Sequence, residues 1–148
     1  MSLFKAIAFK HWKQLSKDYI DKFFPRETSQ LILTSQSADV SSTTLVTPEM
    51  SSVHRVSAHI NVTTVASGGS PSSTMPPVTI GWTDCDSGQA QTKAITSSSS
   101  GNVLTTFDNG SVVVKSKGGV AITVSTSGYA SSGTTAMKFA LTVTVEAL

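Results

Sequence analysis

"GYASSGTTAMKFALTVTVEAL" occupies residues 128–148. Its second half alternates, with Phe139, Leu141, Val143 and Val145 on one side and Ala140, Thr142, Thr144 and Glu146 on the other. A period of two over that length describes a β-strand with one buried face and one wet face. The small residues before it surround a single tyrosine. Tyr129 is expected to anchor this last loop over the end of a sandwich before the closing strand.

The same period recurs upstream. "VHRVSAHINVTTVA" sets His54, Val56, Ala58, Ile60 and Val62 against Arg55, Ser57, His59, Asn61 and Thr63. "PPVTIGWTDCD" puts Val78, Ile80 and Trp82 on one face. Shorter candidates lie around Leu31–Leu33, Thr43–Thr47, "QAQTKAIT" and "NVLTTF". "GSVVVKSKGGVAITVST" reads as a hairpin, two β-branched runs joined at Gly118-Gly119, whose dihedral freedom suits a tight turn. Eight or nine strands between Ser, Gly, Pro and Asn turns predict an all-β sandwich or barrel. The segments 67–77 and 97–102 are expected to be exposed loops, since strands resume on both sides.

The start of the chain has another texture. Residues 1–26 hold Lys5, Lys10, Lys13, Lys17, Lys22 and Arg26 against Asp18 and Asp21, 6 − 2 = +4; the remainder carries 5 − 7 = −2, for the net +2 of the whole. Six of the ten aromatics crowd there too. Phe4, Ala8, Trp12, Leu15, Tyr19 and Phe23 recur at spacings of three and four, so residues 2–24 read as an amphipathic α-helix with one apolar stripe. Pro25 disfavours helical geometry at Phe24 and sets the stop. Two units follow, a basic aromatic anchoring helix at 1–26 and a β-sandwich at 27–148. The stripe is a candidate docking interface, for its own domain, sister subunits or another protein. The basic face leaves a membrane surface or nucleic acid as alternatives.

Little of the remaining sequence looks catalytic. His54 and His59 are five apart on one strand and point to opposite faces, so they cannot share a metal. His54 is then an interior or interface histidine, or a pH-sensitive contact. "DCDSGQ" (84–89) has a fragment of a calcium-loop pattern but no carboxylate after Gly88, which favours an acidic hairpin turn. Cys85 lies between two carboxylates, which disfavour its thiolate, and as the only cysteine it excludes an intrachain disulfide framework. No Gly-x-Ser-x-Gly elbow or phosphate-cradling glycine loop occurs. "NVT" (61–63) and "NGS" (109–111) fit the glycosylation sequon; the first lies in a strand, and Asn109-Gly110 is expected at a turn. No enzyme, metal or cofactor is expected. Lysines interrupt the apolar residues after Met1, so no secretory signal is recognised, and no apolar run is long enough to span a bilayer.

The stretches "TTLVTPEMSSVHRVSAHINVTTVA", "PPVTIGWTDCDSGQAQT" and "GSVVVKSKGGVAITVSTSGYASSGTTAMKFALTVTVEAL" resemble a recurrent pattern of small phage virion proteins. More loosely they resemble the jelly rolls of complement-type and tumour-necrosis-factor-like trimers. Thr47, Pro48 and Val53 to Val56 stand where those folds lead into a central strand, with Ser51-Ser52 and His54-Arg55 replacing the usual glycine and aromatic. The resemblance implies a single jelly-roll-like antiparallel sandwich that ends on a strand at a trimer axis. It also implies a virion component that decorates a capsid or head fibre, docking on capsid or connector proteins. A tail fibre, or a carbohydrate- or receptor-binding module with ligand held around Trp82, Tyr129 and 67–77, is the second expectation. A membrane-surface protein led by its helix is the third.

Overall fold

The computed structural model describes residues 28–148, and among them every regular element is a β-strand. The expected helix, and with it Phe4, Ala8, Trp12, Leu15, Tyr19 and Phe23, lies outside the described residues.

Eight strands form two antiparallel four-stranded sheets. In spatial order the first holds β1 (Thr28–Gln36), β11 (Lys138–Ala147), β3 (Ser52–Thr64) and β8 (Phe107–Ser116). The second holds β2 (Thr43–Val46), β9 (Ile122–Thr126), β5 (Val78–Thr83) and β6 (Ala90–Ala94). A third, small sheet joins β10 (Ala130–Ser131), β4 (Ser73–Met75) and β7 (Ser99–Ser100).

Alternation decides which face of each strand is buried. Val56, Ala58, Ile60 and Val62 of β3, Phe139, Leu141, Val143 and Val145 of β11, and Val114 of β8 point inward. They meet Leu45 of β2, Val78 and Ile80 of β5, and Ile122 and Val124 of β9 in one continuous core. Two sheets sharing such a core make a β-sandwich, with polar residues left on each outer face. A large apolar side chain in this core contributes about 1.5–3 kcal/mol through burial.

The sandwich has two unlike ends. At the near end lie Thr28, Leu148 and the short connections 47–51, 84–89 and 117–121. At the far end lie 37–42 and the long connections 65–77, 95–106 and 127–137, which carry the third sheet.

Several sequence expectations need correction here. The run around Gly118-Gly119 is not a hairpin: β8 pairs with β3, whereas β9 pairs with β2 and β5. The turn, with Gly119 at φ 74° and Val120 N–H donating to Lys117 C=O, carries the chain from one sheet to the other. Local turn chemistry cannot distinguish these outcomes, because both need the same reversal. Asn109-Gly110 is not a turn either, and lies inside β8. Glycine is required at 110 because a Cβ would run into the backbone carbonyl of Ile95, where the β6–β8 connection crosses the sheet. The segments 67–77 and 97–102 are not wholly loop, since β4 and β7 form within them.

Candidate functional site

Among the buried polar groups of the described residues are a paired histidine and serine, His54 and Ser116. His54 and Ser116 are each 1% exposed, on paired strands. His54 Nδ1 lies 3.0 Å from Ser116 Oγ, which donates to Ser52 C=O at 3.2 Å. The pair is closed off from solvent. As the alternation requires, His59 projects from the opposite face of β3 and is exposed.

The 84–89 segment is the turn of the β5–β6 hairpin. Asp84 Oδ1 accepts from Ser87 N–H and Ser87 Oγ, both at 2.8 Å, and from Asp86 N–H at 3.2 Å. These bonds, the Ser87 backbone first, hold its carboxyl below the usual aspartate value. Asp86 is lowered by its hydrogen-bonded ion pair with Lys115, at 2.6 Å, and Lys115 is raised by the same contact. Desolvation, then the Asp86 carboxylate 3.5 Å from its Sγ, push the Cys85 thiol up. Asp84 is engaged by the turn itself and Asp86 by Lys115 of β8, and the thiolate that a nucleophile needs is disfavoured.

The far end is built from long-range ties. Asp39 accepts from Gly128 N–H and Tyr129 N–H, both at 3.0 Å, and so fastens the β1–β2 connection to the last loop. Tyr129 Oη donates to Met137 C=O at 2.6 Å, and its ring packs against Phe139 at 6.0 Å. The expected anchoring role of Tyr129 is observed. Ser67 and Thr135 exchange backbone hydrogen bonds, and Ser73 Oγ donates to Asn102 Oδ1 at 2.6 Å.

These positions break up the ligand site expected around Trp82, Tyr129 and 67–77. Trp82 lies towards the near end of β5 and packs on the core, while Tyr129 and 67–77 are at the far end. Both aromatic rings are committed to packing. Among the described residues the exposed large aromatic is Phe107, 61% accessible at the far end of β8. Its ring tilts 32° against His59 with centroids 5.9 Å apart. Asn61 pairs with Phe107 and Asn109 with His59, so all four share the outer face of the first sheet. The turn leading into Phe107 also exposes Val103 and Leu104. The alternation Phe107, Asn109, Ser111, Val113 was a usable sequence signal for this face, masked by reading Asn109-Gly110 as a turn.

By fold the protein is an antiparallel β-sandwich. No family model and no curated protein matches the chain. Among solved structures it is similar to the CBM22-1 and GH10 modules of the Clostridium thermocellum endo-1,4-β-D-xylanase 10B, solved with xylohexaose. That likeness has 9% identity and a TM-score of 0.38, over 83% of this chain and 25% of that one. It is similar to the CBM22-1 xylan-binding domain of Paenibacillus barcinonensis Xyn10C, with 13% identity and a TM-score of 0.36, over 80% of this chain and 70% of that one. It is also similar to the disulfide-linked pili that form Bacillus endospore appendages, with 15% identity and a TM-score of 0.34, over 82% and 85%. The chain spans about a quarter of the length of the xylanase chain it matches.

Proposed function

We propose that the chain is a non-catalytic virion structural protein, a jelly-roll head carried on its N-terminal segment with its far end turned outward. The strand order supports the jelly-roll reading. Eight strands interleave as β1-β11-β3-β8 and β2-β9-β5-β6, and of the sequence neighbours only β5 and β6 pair with each other.

The observation that carries the proposal is the polarity of the sandwich. Thr28, the first described residue, lies at the near end, opposite the connections 65–77, 95–106 and 127–137. A head held through the residues before Thr28 therefore presents those connections to its surroundings. Docking is assigned to Phe4, Ala8, Trp12, Leu15, Tyr19 and Phe23, whose sequence spacing of three and four is that of a helical apolar stripe. The partner is a capsid or connector protein. By resemblance to the trimeric jelly rolls the head is a closed trimer, which covers exposed sheet edges.

Co-sedimentation with parent particles lacking the protein tests this reading. The full chain is expected to pellet with the particles, and a folded chain of residues 28–148 to stay in the supernatant. Trp12→Ala with Tyr19→Ala is expected to reproduce most of that loss. Equal binding by the shortened chain would move the attachment onto the sandwich.

A further inference from the structure

We infer that the far end of the first sheet's outer face is a binding site for a neutral glycan, built from His59, Asn61, Phe107 and Asn109. The inference does not depend on how the chain is attached to a particle. On adjacent strands these residues form a two-by-two array, with Asn61 beside Phe107 and His59 beside Asn109. The two rings therefore occupy one diagonal and the two carboxamides the other. Neighbouring strands lie about 4.8 Å apart and residues two apart on a strand about 6.7 Å, so the array covers about one pyranose ring with its substituents.

The chemistry of the array suits a sugar. The apolar C–H face of a pyranose stacks on an aromatic plate, while its hydroxyls need donors and acceptors at the rim. Phe107 is a large aromatic held open on a strand rather than on a loop, and its contact with His59 sets the tilt of the plate. The Asn109 carboxamide and the His59 ring nitrogens make no hydrogen bond to a described residue, and Asn61 spends only one N–H, on Val62 C=O at 3.4 Å. Hydrogen-bonding capacity is thus available beside the plate. Across the sheet the partners of Asn61 and His59 are Ala140 and Thr142, small enough to leave the track level. It ends at Ile32, which pairs with Thr142 and is exposed.

Charge decides the class of glycan. The two rows themselves carry no ionised side chain; beyond them, two residues before Ala140 on β11, stands the exposed Lys138. Asp108, on the same strand, alternates to the opposite side and is tied to Ser97 N–H at 2.7 Å and Asn109 N–H at 2.8 Å. Arg55 and Glu146 lie further down the face and meet each other at 3.8 Å. Within the two rows nothing would compensate a carboxylate or sulfate, and Lys138 beyond them is a single solvated charge, so the ligand is a neutral oligosaccharide.

The experiment uses the full chain on an array of immobilised gluco-, xylo-, manno- and chito-oligosaccharides alongside sialylated and sulfated sugars, followed by calorimetry on the strongest binder. Binding to a neutral series is expected, weakened about tenfold or more in Phe107→Ala. Asn109→Ala should weaken it less, and Phe107→Trp should retain it. Thr123→Ala, on the outer face of the other sheet, should leave it unchanged. Light scattering of Phe107→Ala is the companion measurement. Loss of an oligomer with Phe107 would show a subunit contact and overturn the proposal. So would binding confined to acidic sugars, no binding at all, or binding that survives both Phe107→Ala and Asn109→Ala.

Discussion

The two ends of the sandwich are held by different means. At the near end the connections are short, and Asp84 accepts from Asp86 and Ser87 within its own turn. Backbone bonds such as Gly119 N–H to Pro48 C=O and Cys85 N–H to Lys115 C=O join the turns to their neighbours. At the far end the connections are long, and Asp39 reaches Gly128 and Tyr129 from 89 and 90 residues away. A locally satisfied turn costs little entropy to close, whereas a long connection must be tied down by contacts that only the folded chain supplies. The long-tied end is also where the exposed aromatic plate lies. That plate sits on the paired ends of β3 and β8 rather than on a connection.

The comparison breaks first at Phe139, which is fully buried beneath Tyr129. Phe139→Ala is expected to cost about 3–5 kcal/mol in urea unfolding. A cost below about 1 kcal/mol would mean that the far end is not built on the core. Gly110→Ala comes next, since its methyl group must displace the Ile95 carbonyl. The expected cost is about 1–3 kcal/mol, with faster hydrogen exchange along 95–97. Tyr129→Phe removes one part-buried hydrogen bond to Met137 C=O and should cost about 1 kcal/mol. Its exchange signature should be confined to 127–137, and a loss spread over the near end would erase the distinction between the ends.

The smallest effects belong to the near end. The folded-state values of Asp84 and Asp86 are depressed, so their contribution is present above the unfolded aspartate value and is lost as pH falls through the folded one. The 84–89 turn should therefore loosen only below about pH 4, read as faster exchange at Ser87 N–H. Lys115 is raised, so its contribution is present below the unfolded lysine value and disappears only as pH rises through the folded one. From about pH 4 up to the ordinary thiol range the melting temperature should be flat for this turn, and above it the raised Cys85 thiol is the first group to withdraw its contribution. Cys85→Ser, on the same exposed turn, should leave the melting temperature unchanged at pH 7.

Much of the sandwich was legible in the strands themselves. The alternation through Phe139–Val145 and His54–Val62 assigned buried and wet faces correctly, and placed His54 and His59 on opposite sides. Period two is a property of the backbone, so it survives without knowledge of any partner strand. Tyr129 as a loop anchor was legible too, because a lone aromatic in a small-residue loop has few other roles. Its acceptor, Met137 C=O, was not.

Which strands pair was written nowhere locally. Lys117–Val120 reads as a hairpin turn, yet it separates β8, paired with β3, from β9, paired with β2 and β5. Asn109-Gly110 reads as a turn, yet the glycine is there for the passing Ile95 carbonyl, 15 residues earlier in the chain. The ring and amide array follows from the β3–β8 register, which brings residues 48 positions apart, such as His59 and Phe107, onto one patch. Local sequence determines period, turn chemistry and charge, since these act over a few residues. Strand partners, the ties at the far end and the exposed plate follow from long-range burial, and only the tertiary structure decides them.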